Sequence, residues 1–300
     1  MKVGRIRKDG QTLSVIFEGG SAHSISTIMG IDEKAISDQF YDIILHHEND
    51  LVEAAKGGRG VVPEPWQHDI PVPKVNQIRD FYAFEEHVKA GRNSRGLEMV
   101  PEWYEIPVFY YSGTSSLYPS GEDVRYPRYT GQLDFELEAA VVIGKEGRDI
   151  SATGAADHIA GAFLMNDWSA RDEQKKEMKL NLGPAKSKDF GTSFGPHILA
   201  GRELWDLEEK SGRFDISIQG YVNGRKYSDA NLKTMYWGFG DMIERASNEV
   251  TLFPGDVIMS GTVGTGCILE LGPEKYGWLN RGDTVVFESD ALGKLISKVV

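Results

Sequence analysis

Three acidic residues at two-residue spacing lead into a strongly apolar stretch. In GQLDFELEAAVVIG, Asp134, Glu136 and Glu138 alternate with Leu133, Phe135 and Leu137 before the run turns wholly apolar. On a strand, alternate side chains face opposite sides, so the three carboxylates would share a face, and the apolar run predicts a central strand. Like charges on one face repel, and burying an unpaired carboxylate is costly or forces its protonation, so a cation is the simplest compensation. A solvated sheet edge is the plainer alternative. A second apolar run, AGAFLMN, ends in Asp167 and continues as WSARDEQ. That places another carboxylate at a strand end, where loops and short helices can enclose a cavity; a helix N-cap is its plainer reading. Oxygen-only ligands select hard cations, Mg²⁺ or Mn²⁺ first, with Ca²⁺ as a further candidate. The seven histidines show no H-E-x-x-H spacing that would point to zinc.

Short apolar or β-branched runs recur around these residues: PVFYYS, LEAAVVIG, IAGAFLMN, FGPHILA, FDISIQGYVNG, GDVIMSG, GDTVVFES and KLISKVV, separated by Gly, Pro and Asp turns. They predict a β-rich body with short helices near 154–159, 169–178 and 239–247. Residues 2–27 alternate apolar and polar positions about Asp9-Gly10, a tight hairpin signal. From Ser37 to Lys56 the apolar positions Phe40, Ile43, Ile44, Leu51, Val52 and Ala55 fall near helical spacing, until GGRGVVPEP breaks the pattern. The expected fold is therefore α+β and mostly β, with a small N-terminal α+β domain over 1–70 and a catalytic domain over 71–300.

The chain has 300 residues with 33 Lys plus Arg and 45 Asp plus Glu, a net charge of −12. That balance opposes binding to nucleic acid and to anionic membranes. The N-terminal MKVGRIRKDGQTLSVIF lacks the apolar run of a signal peptide, and no stretch approaches the roughly 18 apolar residues of a membrane span, so a cytoplasmic location is expected. Cys267 is the only cysteine, which excludes an intrachain disulfide, and its Gly-Cys-Ile-Leu setting favours a packed core thiol.

The stretches DFYAFEEH, DFELEAAVVIG, FLMNDWSARDEQ, KDFGTSFGP and GDVIMSGTVGTGC, in this order, resemble the fumarylacetoacetate hydrolase family over residues 71 to 300. The resemblance implies a β-roll of mixed, mainly antiparallel sheets, usually dimeric. It also implies a divalent cation held by Asp80, Glu136, Glu138 and Asp167. By the same correspondence His87 is the catalytic base and Glu270 its partner, with Glu85 or Glu86 as other candidates to orient the imidazole. Arg171, Gln174 and Lys188 would point donors at the substrate, with Thr262 near its carboxylate and Tyr111 facing it. Lys188 would also neutralise the metal's carboxylates. His87 lies in FYAFEEHVKAGRNSRG, whose passage from aromatic to charged to Gly and Ser residues fits a lid over substrate.

The implied chemistry is hydrolysis of a carbon–carbon bond in a small 2,4-diketo acid. The departing carbon needs an electron sink, which a divalent cation at an enolate oxygen provides, and water must lose a proton as it attacks. Donors to the resulting oxyanion typically contribute ~10²–10³ in rate each. Met178 stands where fumarylacetoacetase has a tyrosine and Thr114 where it has an arginine, which favours an acylpyruvate or related dioxo acid over fumarylacetoacetate itself. Decarboxylation or tautomerisation of oxaloacetate, or cleavage of a 2-keto-3-deoxy sugar acid, would use the same enolate chemistry without the water-activating base. A non-catalytic binder of organic acids or divalent cations would need the carboxylates but not His87, Glu270 or Lys188.

Overall fold

The computed structural model describes residues 1–93 and 96–300. The N-terminal hairpin follows the sequence closely. Strands Lys2–Lys8 and Gln11–Glu18 pair with Lys8 opposite Gln11, which leaves Asp9 and Gly10 as a two-residue loop. Both have positive φ, 49° and 76°, as a primed turn requires. The helical stretch before residue 57 is interrupted: Phe40–His46 and Glu48–Lys56 are separate helices. His47, at φ −117° and ψ 20°, leaves helical geometry between them. Their buried residues Phe40, Ile43, Ile44, Leu51 and Ala55 nevertheless pack into one cluster with Val3 and Ile16 of the hairpin.

The central sheet runs from this hairpin through Ile198–Leu199, Ile159–Asp167, Leu137–Ile143, Val257–Met259 and Ile78–Phe81 to Phe109–Ser112 at the edge. The N-terminal strand thus pairs directly with a strand of the C-terminal segment, Lys2 opposite Leu199. A separate four-stranded sheet is built from Ser217–Val222, Arg225–Asn231, Thr284–Ser289 and Gly293–Lys298. The expected helices near 154–159, 169–178 and 239–247 occur as a 3₁₀ segment Ala152–His158 and α-helices Arg171–Lys179 and Phe239–Ser247.

Both faces of the central strands are covered. Leu137, Ala139, Val141 and Ile143 enter one core, and Ala140 and Val142 the other. On the neighbouring strand Leu164 joins the first core, and Phe163 and Met165 the second. Ile78 belongs to the second and Phe81 to the first. Because side chains alternate along a strand, Asp80, Glu138 and Asp167 continue the second set, and the strand directions bring all three to one end of the sheet. The strand expected across 133–143 is broken at 135–136. There the Glu136 amide donates to Asn166 Oδ1 at 3.0 Å instead of joining a ladder.

Gly161 permits the close approach of two of these paired strands. A Cβ there would stand 2.3 Å from Ile198 Cγ2 and 2.4 Å from the Leu199 carbonyl oxygen. The backbone on one side cannot yield cheaply, so Gly161→Ala should lower stability by about 1–3 kcal/mol or more. A fall in the denaturant midpoint with unchanged slope would show this; an unchanged midpoint would mean that the strands separate without cost.

Candidate active site

The sheet end gathers carboxylates from strands far apart in sequence. Asp80, Glu138 and Asp167 are each almost fully buried, and one ligand oxygen from each lies within 4.8 Å of the others. Asp80 Oδ1, Glu138 Oε2 and Asp167 Oδ1 have no hydrogen-bond partner among the described residues. Burial raises all three pKa values; the charge of Asp167 adds to the effect at Asp80, and that of Asp80 at Glu138. Converging, unpartnered oxygens that repel one another are what a hard divalent cation would satisfy.

Glu136, expected as a fourth ligand, is placed differently. One oxygen accepts from Arg171 Nη2 at 2.8 Å and the other from Lys188 Nζ. Burial opposes its ionisation, but Lys188 and Arg171 overcome that penalty and hold its pKa below the ordinary value. Lys188 also donates to Asp167 Oδ2 at 2.6 Å, so one ammonium ties two of the expected ligands together. Arg171, at the start of its helix, donates through Nε to Asp134 Oδ2 at 2.8 Å and through Nη1 to Gln174 Oε1 at 2.9 Å. Gln174 therefore aligns Arg171. Thr262 donates to Glu138 Oε1 at 3.3 Å.

His87 lies on helix Glu85–Asn93 and is buried, with Nδ1 in hydrogen-bond contact with Glu270 Oε1. This geometry puts Glu270 rather than Glu85 against the imidazole: Glu85 instead accepts from the Tyr104 hydroxyl and pairs with Lys89. The other Glu270 oxygen accepts from the Thr265 amide at 2.6 Å. Burial lowers the His87 pKa to about 4; Arg171 and Lys188 reinforce the shift, and Glu136 opposes it. The imidazole is therefore neutral near pH 7. Of the stretch expected to form a lid, Ser94 and Arg95 lie outside the described residues.

Tyr111 departs from its expected place. Strand Phe109–Ser112 pairs with Ile78–Phe81 so that Tyr110 lies opposite Asp80 and Tyr111 opposite Arg79. Alternation turns Tyr110 inward, where its hydroxyl donates to Asp167 Oδ2, and Tyr111 outward. Tyr111 is 60% exposed, with the Arg79 guanidinium 5.4 Å from its ring. Thr114 lines the same outer cavity, of about 840 Å³. The inward role of Tyr110 was not readable in advance, because two adjacent tyrosines give no local sign of register.

Asp134 has a role that spacing did not reveal. Besides Arg171 it accepts from the Ile268 and Leu269 amides at 2.8 and 3.1 Å, at the start of the turn that carries Glu270. One buried carboxylate thus positions both the Arg171 guanidinium and the partner of His87.

The family model for the C-terminal part of fumarylacetoacetate hydrolase matches residues 76–300. The chain belongs to the fumarylacetoacetate hydrolase family. It is 33% identical to fumarylacetoacetase of Arabidopsis thaliana over 246 residues, covering 66% of this chain and 58% of that protein. It is 31% identical over 198 residues to an uncharacterized protein of Methanocaldococcus jannaschii, covering 66% of this chain and 75% of the other. It thus spans a little over half the length of the plant enzyme. The family fold extends over the whole chain. A fumarylacetoacetate hydrolase structure from Exiguobacterium antarcticum superposes with a TM-score of 0.77 at 22% identity, covering 100% of this chain and 99% of the other. Maleylpyruvate hydrolase of Sphingobium sp. SYK-6, solved with manganese(II) and pyruvate, gives 0.73 at 22% identity over 100% and 99% of the two chains. Among the described residues no helix is long and apolar enough to cross a membrane.

The two kinds of buried carboxylate predict opposite mutational effects. Asp134→Ala removes the acceptor of Arg171 Nε and of the Ile268 and Leu269 amides and should destabilise by about 3–5 kcal/mol. Glu138→Gln should instead stabilise the cation-free protein. The raised folded pKa of Glu138 means its penalty is absent below the unfolded pKa and grows as pH rises, so the gain should be larger at pH 7 than at pH 4. Unfolding midpoints at the two pH values would check both signs.

Proposed function

We propose that this protein is a divalent-cation-dependent hydrolase that cleaves the carbon–carbon bond of a 2,4-diketo acid of the acylpyruvate type. The observation that carries this reading is the buried contact between His87 and Glu270 next to the cluster of unpartnered carboxylate oxygens. The two are linked through Glu136, whose charge acts on His87 and which shares Lys188 with Asp167.

Asp80, Glu138 and Asp167 would hold Mg²⁺ or Mn²⁺, with Glu136 able to join if Lys188 moves aside. When bound, the cation supplies positive charge for the enolate oxygen that develops on the oxo-acid end of the substrate. His87, neutral and held at Nδ1 by Glu270, accepts a proton from water at its other ring nitrogen as the water attacks the remote carbonyl. Glu270 stabilises the imidazolium that results and is itself fixed by the Thr265 amide. Arg171, aligned by Asp134 and Gln174, and Lys188 place fixed positive charge beside the reacting region, where it stabilises the oxyanion. Thr262, bonded to Glu138, and Tyr110, bonded to Asp167, hold those carboxylates in place.

Decarboxylation or tautomerisation by way of an enolate does not require an attacking water to be deprotonated, the task that a neutral imidazole held by a carboxylate suits, which is why hydrolysis is preferred. A panel of acylpyruvates assayed with Mg²⁺, Mn²⁺ or chelator, with oxaloacetate in parallel, tests the choice. His87→Ala should lower the hydrolytic rate by ~10²–10⁴. The same variant should keep the stabilisation by cation, about 2.7 kcal/mol at a hundredfold excess over Kd. Cation-dependent turnover of oxaloacetate that survives in His87→Ala, with no diketo acid cleaved, would replace hydrolysis by the enolate-only reaction.

A further inference from the structure

Cys267 is fully buried, as a core thiol would be, but its neighbours are not those of a core thiol. One ligand atom from each of His87, Cys267 and Glu270 lies within 4.8 Å of the other two. The donors are a thiol sulfur, an imidazole nitrogen and a carboxylate oxygen, all of them ligands that zinc accepts in sites with three protein ligands and an open fourth position. The carboxylates of Asp80, Glu138 and Asp167 form a separate, all-oxygen group suited to harder cations. We propose that His87, Cys267 and Glu270 form a second cation site, selective for zinc, beside the carboxylate cluster.

Three further observations support the site. Nδ1 of His87 and Oε1 of Glu270 already converge in a hydrogen bond, and a cation held by both would displace its proton. The turn bearing Cys267 and Glu270 is held rigidly, by Asp134 at the Ile268 and Leu269 amides and by Thr265 at Glu270. The local charge is also unbalanced: among the described residues, Asp80, Asp134, Glu136, Glu138, Asp167 and Glu270 are matched in this network by Arg171 and Lys188 as permanent cations. Six carboxylates against two cations leave an excess that one divalent ion only halves. Burial raises the Cys267 pKa, so the thiol stays protonated without a metal. Zinc would form the sulfur bond as that proton leaves to solvent, with no change of oxidation state. Zinc would also occupy His87 and thereby inhibit hydrolysis, a consequence that, unlike the site, rests on the proposed role of that residue as base.

The test is a titration of the full-length, Mg²⁺-saturated protein with Cd²⁺, a spectroscopic stand-in for zinc. A thiolate-to-cadmium absorption band should grow to one equivalent and be absent in Cys267→Ser. In competition with a chromophoric chelator, that variant should bind zinc at least about 100-fold more weakly, the upper end of what losing even an outer-shell partner costs. Zinc inhibition of the native protein should persist in excess Mg²⁺, whereas that of Cys267→Ser should be reversed. No cadmium band under Mg²⁺ saturation, or equal zinc affinity in the two proteins, would overturn the site. A band lost in Cys267→Ser with no zinc inhibition of the native protein would uphold the site and overturn the assignment of His87 as base.

Discussion

The structure is organised around buried negative charge at one end of a sheet whose remaining length is apolar. Carboxylates there cannot reach bulk water, and their mutual repulsion in a poorly screened interior must be offset locally. Arg171 and Lys188 do part of this, each bridging two acidic side chains. What they leave uncompensated is concentrated at Asp80, Glu138 and Asp167, whose raised pKa values record the deficit. Natural folds avoid such an arrangement unless it serves a ligand, because unpaired buried polar groups are expensive.

The sheet makes this concentration possible. A strand buried on both faces can bring an acidic side chain into the interior only where its ladder ends, and each of the three carboxylates lies at or beside such an end. The interruption at residues 135–136 contributes as well. By leaving the ladder, Glu136 turns both oxygens toward Arg171 and Lys188, while Glu138, back in the ladder, stays with the unpartnered group. Two glutamates separated by one residue thus occupy electrostatically opposite environments, one with its pKa lowered and the other raised.

The dyad of His87 and Glu270 draws on the same network. Asp134 orients Arg171 on one side and the Glu270 turn on the other, so the carboxylate that contacts His87 and the guanidinium are mechanically coupled through a single side chain. Membership of the fumarylacetoacetate hydrolase family accounts for the overall architecture. Cys267 lies beside the dyad, so a soft sulfur donor stands next to the imidazole and the Glu270 carboxylate.

Sequence alone determined the features that depend on nearest neighbours. The Asp9-Gly10 hairpin, the apolar central strands, the short helices and the presence of acids at the starts and ends of apolar runs follow from residue type and local spacing. Family resemblance added the grouping of Asp80, Glu136, Glu138 and Asp167 and the pairing of His87 with Glu270. Only the tertiary structure decided the rest. It put Tyr110 rather than Tyr111 inward, committed Glu136 to Arg171 and Lys188, selected Glu270 over Glu85 at His87, and joined the N-terminal hairpin to the central sheet. Each of these depends on strand register or on packing between segments tens to hundreds of residues apart. A shift of one residue in register reverses which side chains face the site while leaving the local sequence pattern unchanged.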